Sequence, residues 1–279
     1  MDKSKIKNFI LILLALVNVF LLAIVISGAS EERKAETSRK AALNRVLAEY
    51  GITLKSNIVL QDTIPPLLTL ARNMDTEHSL ISALIGKCTP VDQGGNSFFY
   101  SGADGQATFR GTGDFEILLN SGVISTGRSP LDAAKATLKK LNIDYSDAGP
   151  IVTNNGDNTT VTLYCSWNQT AIYNARISLV FNSDYLWLIS GVRPLDIKSS
   201  VQSSENFPDS TTILMNFLET TNKNGYIFSE INELKIEYSM NSAVSGNCTL
   251  KPVWCVVTNS GTYSIDDQTG EAEKIDIAS

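Results

Sequence analysis

Val161-Thr162-Leu163-Tyr164-Cys165-Ser166-Trp167 places an apolar or aromatic side chain at every second position, the alternation of a strand that buries one face. Upstream, Ser129-Pro130-Leu131-Asp132 supplies a capping serine, a proline at the first helical position and an acid three residues on. Leu131, Ala134, Leu138 and Leu141 form the buried stripe of that helix. The stretch therefore reads as a helix followed by strands at about 159–167, 175–182 and 185–191. Asn154-Asn155-Gly156 and Asn182-Ser183-Asp184 mark the turns.

The same order recurs on either side. A helix over Thr76–Ile85, with Leu80, Ile81, Leu84 and Ile85 apolar and Gly86 as its stop, precedes strands near 97–101, 106–110 and 114–119. A third helix starts after Pro208 and buries Ile213, Leu214, Phe217 and Leu218. Leu234, Ile236, Tyr238 and Met240 then alternate, followed by Pro252-Val253-Trp254-Cys255-Val256-Val257 and Thr262–Asp266. Helix first and antiparallel strands after predict an α+β fold of successive helix-plus-antiparallel-strand units, with helices on one face of curved sheets. Unequal spacing of the helices excludes a solenoid. Residues 52–75, with Pro65-Pro66 in the middle, read as an extended linker or first strand, and the polar Lys198–Asn206 as a linker between lobes. The first lobe or lobes then occupy 52–197 and a C-terminal lobe 207–276. Trp254, in its proline-led strand, is the candidate structural core residue.

Toward the N-terminus, Asn18 is the only side chain between Phe9 and Ile26 that is not hydrophobic. Such a run makes roughly 27 Å of helix, close to the hydrocarbon thickness of a bilayer. Lys3, Lys5 and Lys7 precede it, whereas Glu31, Glu32, Arg33 and Lys34 cancel after it. The positive-inside bias predicts a single-pass protein of the cell membrane. Residues 1–8 would be cytoplasmic, 9–27 the transmembrane helix within the lipid bilayer, 28–51 a juxtamembrane stalk helix, and the rest extracytoplasmic. The stalk pattern runs from Glu31 to Tyr50, with Ala35, Ala42, Leu43, Val46, Leu47 and Tyr50 on one face. Asn18 is the candidate membrane-helix partner contact, because its amide can hydrogen-bond a neighbouring helix. A cleaved signal peptide, with Ser27-Gly28-Ala29 at the cleavage site, is the rival reading; its apolar region is usually shorter.

Beyond the first seven residues the chain carries 28 Asp and Glu against 20 Lys and Arg, a net charge of −8. That balance argues against nucleic acid as a partner. Cys88, Cys165, Cys248 and Cys255 allow three complete disulfide pairings, or stay buried as free thiols. On one continuous strand Cys248 and Cys255 would stand roughly 23 Å apart, too far to bond. No C-x-x-C spacing occurs and His78 is the sole histidine, so the expectation is no metal and no cofactor.

No catalytic constellation is legible in the sequence, and the chain is expected not to be an enzyme. His78 has no accompanying nucleophile motif and reads as a surface or capping residue. Ser4-Lys5-Ile6-Lys7 spells S-x-x-K without a fold around it. Gly111-Thr112-Gly113 is half of a nucleotide loop and reads as a hairpin turn. Asp266-Asp267-Gln268-Thr269-Gly270-Glu271 lacks the alternating ligands of a calcium loop and reads as a turn with an acidic edge.

The opening Met1-Asp2-Lys3-Ser4-Lys5-Ile6-Lys7-Asn8-Phe9-Ile10, continuing to Leu16, Asn18, Phe20 and Leu21, resembles the start of the YycI family. Those are single-pass regulators that accompany the YycFG (WalRK) cell-wall two-component system of Gram-positive bacteria. Ile231-Asn232-Glu233-Leu234-Lys235-Ile236-Glu237-Tyr238 resembles the family's strand before its final hairpin. Pro252–Val256 and Tyr263–Glu271 resemble its closing segment. Lys3 departs from the family, where Trp is usual. The resemblance implies a non-enzymatic regulator that associates with a sensor histidine kinase (YycG/WalK-like) and a YycH-like partner to modulate two-component signalling. PepSY-type domains share the closing Pro-x-Trp strand and Thr-Gly-Glu turn. A PepSY-like extracytoplasmic binding or peptidase-inhibitor module is therefore the alternative.

Overall fold

A computed structural model describes residues 37–58, 60, 64–147, 149–182, 184–202, 207–243, 246–266 and 269–275. Strand accounts for 48% and helix for 23%, so the protein is mostly β. This corrects the expected α+β succession of separate units.

In chain order, helix α1 (37–49) leads to β1 (Thr53–Leu54) and β2 (Leu67–Ala71). Then come α2 (Met74–Ile85) and the meander β3 (Pro90–Gly94), β4 (Ser97–Gly102), β5 (Gly105–Arg110) and β6 (Asp114–Leu119). Helix α3 (Pro130–Lys140) precedes β7 (Ile151–Asn155), β8 (Asn158–Trp167), β9 (Thr170–Asn182), β10 (Tyr185–Val192) and β11 (Ile197–Gln202). Last are α4 (Ser210–Asn224), β12 (Glu230–Ser242), β13 (Asn247–Thr258), β14 (Gly261–Ile265) and β15 (Ala272–Ile275).

The strands join into a curled half-barrel sheet whose main path is β11-β2-β13-β12-β9-β10-β6-β5-β4-β3. Long strands make this fusion possible, because one strand can serve two neighbours along its length. On one side β13 pairs with β2 through Asn247–Leu250, then with β14 from Trp254 onward. Pro252, which has no N–H to donate, sits at the changeover between the two. Parallel β9 and β12 meet at a single register pair, Ile172 with Tyr238. Beside it the Asn174 side chain takes the place of a missing strand segment. Its Oδ1 accepts from the Met240 N–H and its Nδ2 donates to the Met240 carbonyl, both at 2.8 Å.

Two hydrophobic cores result. The larger buries Ile81, Leu84 and Ile85 of α2 and Ala134 and Leu138 of α3 against both halves of the sheet. In the smaller, Leu43 and Leu47 of α1 and Ile213, Leu214, Phe217 and Leu218 of α4 cover Ile236, Trp254 and Ile265. Lys40 fastens α1 further by donating to the carbonyls of Ser56 and Ile58. The residues expected to link two lobes include β11, an edge strand paired with β2. Lys198, Ser200 and Gln202 are exposed polar residues that read as a linker, while their backbone pairs with β2.

No helix among the described residues is long and apolar enough to cross a membrane. The longest, α4, has 15 residues, or ~22 Å, and buries only one face. The expected single-pass placement in the cell membrane is corrected accordingly. Its segment 9–27, with Asn18, lies outside the described residues, as does the first part of the expected stalk.

Candidate functional site

Two polar regions organise the molecule. The first is a buried charge cluster where β2 runs into α2. Asn73 caps α2, its side chain accepting from the Asp75 and Thr76 N–H groups. One turn on, Glu77 lies on the same face as Ile81 and Leu84, with its side chain 1% exposed. Arg72 grips it by two parallel bonds, Nε to Oε2 at 2.9 Å and Nη2 to Oε1 at 2.6 Å. Tyr100 of β4 donates to the same Oε1 at 2.8 Å, and Arg193 approaches Oε2 at 3.4 Å. Arg193 in turn donates to Asp196 at 2.7 Å, and Asp196 accepts the Asn73 N–H at 3.1 Å.

Two guanidinium groups thus face two carboxylates, and each charge is neutralised. Arg72 and Arg193 also lie over the Phe98 and Phe109 rings. Burial, and then the Glu77 carboxylate, hold the Tyr100 phenol well above its ordinary pKa, so it stays a donor. Gly113 is needed for the approach of this strand end. With φ 91°, it accepts the Arg193 N–H, and a Cβ there would meet the Arg193 carbonyl oxygen at 2.4 Å. Gly111-Thr112-Gly113 is accordingly the β5–β6 turn.

Beside the cluster lies a cavity of about 400 Å³, lined by α2's first turn, the segment after α3, the β8–β9 turn and the β10–β11 connection. The cluster forms part of its floor through Arg193 and Asp196.

The second region is a groove of about 600 Å³ along β12–β15, lined among others by Ser239, Lys251, Ser264 and Glu273 and by Ile265 and Ala272 at the margin of the smaller core. Register builds it: Ser239 is opposite Lys251, Ser264 opposite Glu273 and Ile265 opposite Ala272. Tyr173 of β9 closes one wall, its hydroxyl 3.4 Å from Ser239 Oγ. Lys235 sits 2.7 Å from Glu237; burial works against its charge, yet Glu237 holds the ammonium above its ordinary pKa. Lys251 approaches Asp266 at 3.8 Å. Glu271 and Glu273 are exposed and make no ion pair among the described residues. Acidic side chains therefore outnumber basic ones along this lining.

Trp254 lies directly behind the groove, with no exposed surface. Its Nε1 donates to the Pro208 carbonyl at 3.0 Å, and its ring stacks on Phe207. Asn18, the other singled-out residue, is outside the described residues. All four cysteines are buried free thiols. Burial pushes the Cys165 thiol up to about 12, and burial and then Glu237 raise that of Cys255. His78 Nε2 lies 2.9 Å from the Cys88 carbonyl oxygen. Asp266 accepts the Thr269 N–H at 2.8 Å, which fixes the β14–β15 turn. Among the described residues no group of His, Cys, Asp and Glu side chains is arranged to hold a metal.

Sequence reasoning missed the charge cluster. Its one local signal is Glu77, an acid four residues before Ile81 on the buried stripe.

No protein-family model matches the chain. No curated protein matches it. A solved structure, an uncharacterized protein from Eubacterium rectale ATCC 33656, is similar over 80% of this chain and 90% of its own length, with 12% identity and a TM-score of 0.44. A likeness of that size carries no argument about what the chain does.

Proposed function

We propose that the chain is a non-catalytic regulator of the YycI kind, which associates with a sensor histidine kinase and a YycH-like partner and modulates cell-wall two-component signalling. The observation that carries this reading is where the resembling segments lie. Residues 231–238, 252–256, 263–266 and 269–271 belong to β12, β13, β14 and the connection to β15, the strands that build the groove. A groove with surplus carboxylates offers charge complementarity to a basic partner segment, and such complementarity sets partner choice and association rate. The same groove also favours the second reading, a PepSY-like binding or peptidase-inhibiting module, because it is concave and within the range of ligand sites.

The test is capture of the tagged full chain from its own cells after mild cross-linking, with partners identified by mass spectrometry. The regulator reading expects both a histidine kinase and a YycH-like protein to be enriched. Enrichment of a secreted peptidase instead favours the second reading. Recovery of neither kinase nor YycH-like protein contradicts the first.

A further inference from the structure

We infer that the cavity of about 400 Å³ beside the charge cluster is a binding site for a small, uncharged, hydroxyl-rich ligand of sugar size. Four connections of the chain converge there, and loops set on a rigid frame are where binding residues concentrate. The floor is rigid and electrically spent, because Arg193 is held by both Glu77 and Asp196. Among the described residues that line the cavity no other cation is present to draw an anion.

The rim differs from the floor. Asn142, Asn168, Asp144 and Thr76 line it, and none of their side chains makes a hydrogen bond among the described residues. Two amides and a hydroxyl each donate and accept, while the carboxylate only accepts. A ligand matching that set must itself both donate and accept several times, as adjacent hydroxyl groups do. Trp167 adds an apolar wall, suited to the C–H face of a sugar ring. The volume falls within the range of about 300–1,000 Å³ for small-ligand pockets.

The experiment is saturation-transfer NMR and calorimetry on the full chain. Cellobiose and chitobiose are the probes, and tetramethylammonium and inorganic phosphate the charged controls. At least one disaccharide is expected to bind with a dissociation constant of about 1 mM, with transfer to its ring protons. Asn168→Gly removes the amide yet suits a backbone at φ 47°, and should weaken binding at least tenfold while the unfolding midpoint stays put. Trp167→Ala should weaken it further, and Asn168→Gly keeps the test decisive if that variant fails to fold. The assignment is overturned if neither sugar binds up to about 10 mM, or if Asn168→Gly binds as tightly as the parent. Saturable binding of tetramethylammonium or phosphate in place of the sugars overturns it too, by making the cavity a site for a charged ligand.

Discussion

The charge cluster at Glu77 and the groove at Glu271 and Glu273 are built from similar residues to opposite ends. In the cluster, two arginines and two carboxylates are nearly buried and satisfy one another, with Tyr100 and the Asn73 N–H completing the set. It ties β2, α2, β4 and the β10–β11 connection together. In the groove, Lys251 approaches Asp266 at 3.8 Å, while Glu271 and Glu273 are exposed with no ion pair among the described residues. Charges that spend their interactions internally hold a fold. Those left unspent on a concave face are available to a partner. Burial and pairing, more than residue type, separate the two roles.

The largest effect that can break this comparison is at Glu77. Glu77→Gln leaves Arg72 and Arg193 buried without their shared carboxylate, and removing one partner of a buried ion pair costs about 3–5 kcal/mol. Urea unfolding at neutral pH measures it, and a cost below about 1 kcal/mol would mean that water reaches the cluster. Trp254→Ala is expected at about 3–5 kcal/mol by cavity formation and loss of the bond to Pro208. That change tests whether the wall behind the groove is core.

Asp209 sharpens the picture at a smaller scale. Its carboxylate caps α4 by accepting the Thr212 N–H at 2.8 Å, and that bond holds its pKa below the ordinary value. A depressed folded-state pKa means that the stabilisation is complete above the unfolded-state value, ~4, and is lost as pH falls through the folded one. Asp209→Ala should cost about 1 kcal/mol at pH 7. Urea midpoints of parent and variant should converge as the solution is acidified.

The smallest expected change is in the groove. Glu271→Gln with Glu273→Gln should alter stability by less than about 0.5 kcal/mol, as exposed substitutions do.

Local signals made much of this fold legible. Ser129 with Pro130 announced α3, and the Ser129 hydroxyl accepts the Asp132 N–H as a cap should. Alternation located β5, β6 and β8 closely, because each buries one face. The pairing of β2 with β13 was not legible, since it joins Leu70 to Cys248 across most of the chain and periodicity does not name a partner. Nor was β11, where Lys198, Ser200 and Gln202 are exposed and polar as in a loop and Ile197 and Val201 are exposed as well. For the same reason the separate α+β units of the sequence reading are one continuous sheet. Of the two polar regions, the β14–β15 turn was readable from Asp266 through Glu271, but the groove was not, because it arises from register across four strands. Arg72 and Glu77 are close in sequence, yet Arg193 joins them from 116 residues away.

The most direct test measures partner capture and urea unfolding side by side for Glu271→Gln/Glu273→Gln and for Glu77→Gln, both in the full chain. The groove pair should leave the unfolding midpoint unchanged and lower recovery of the kinase and YycH-like protein about tenfold, an association loss of about 1.4 kcal/mol. Glu77→Gln should shift the midpoint strongly. Undiminished partner recovery by the groove pair, with its fold intact, would contradict the assignment of the groove as the docking face.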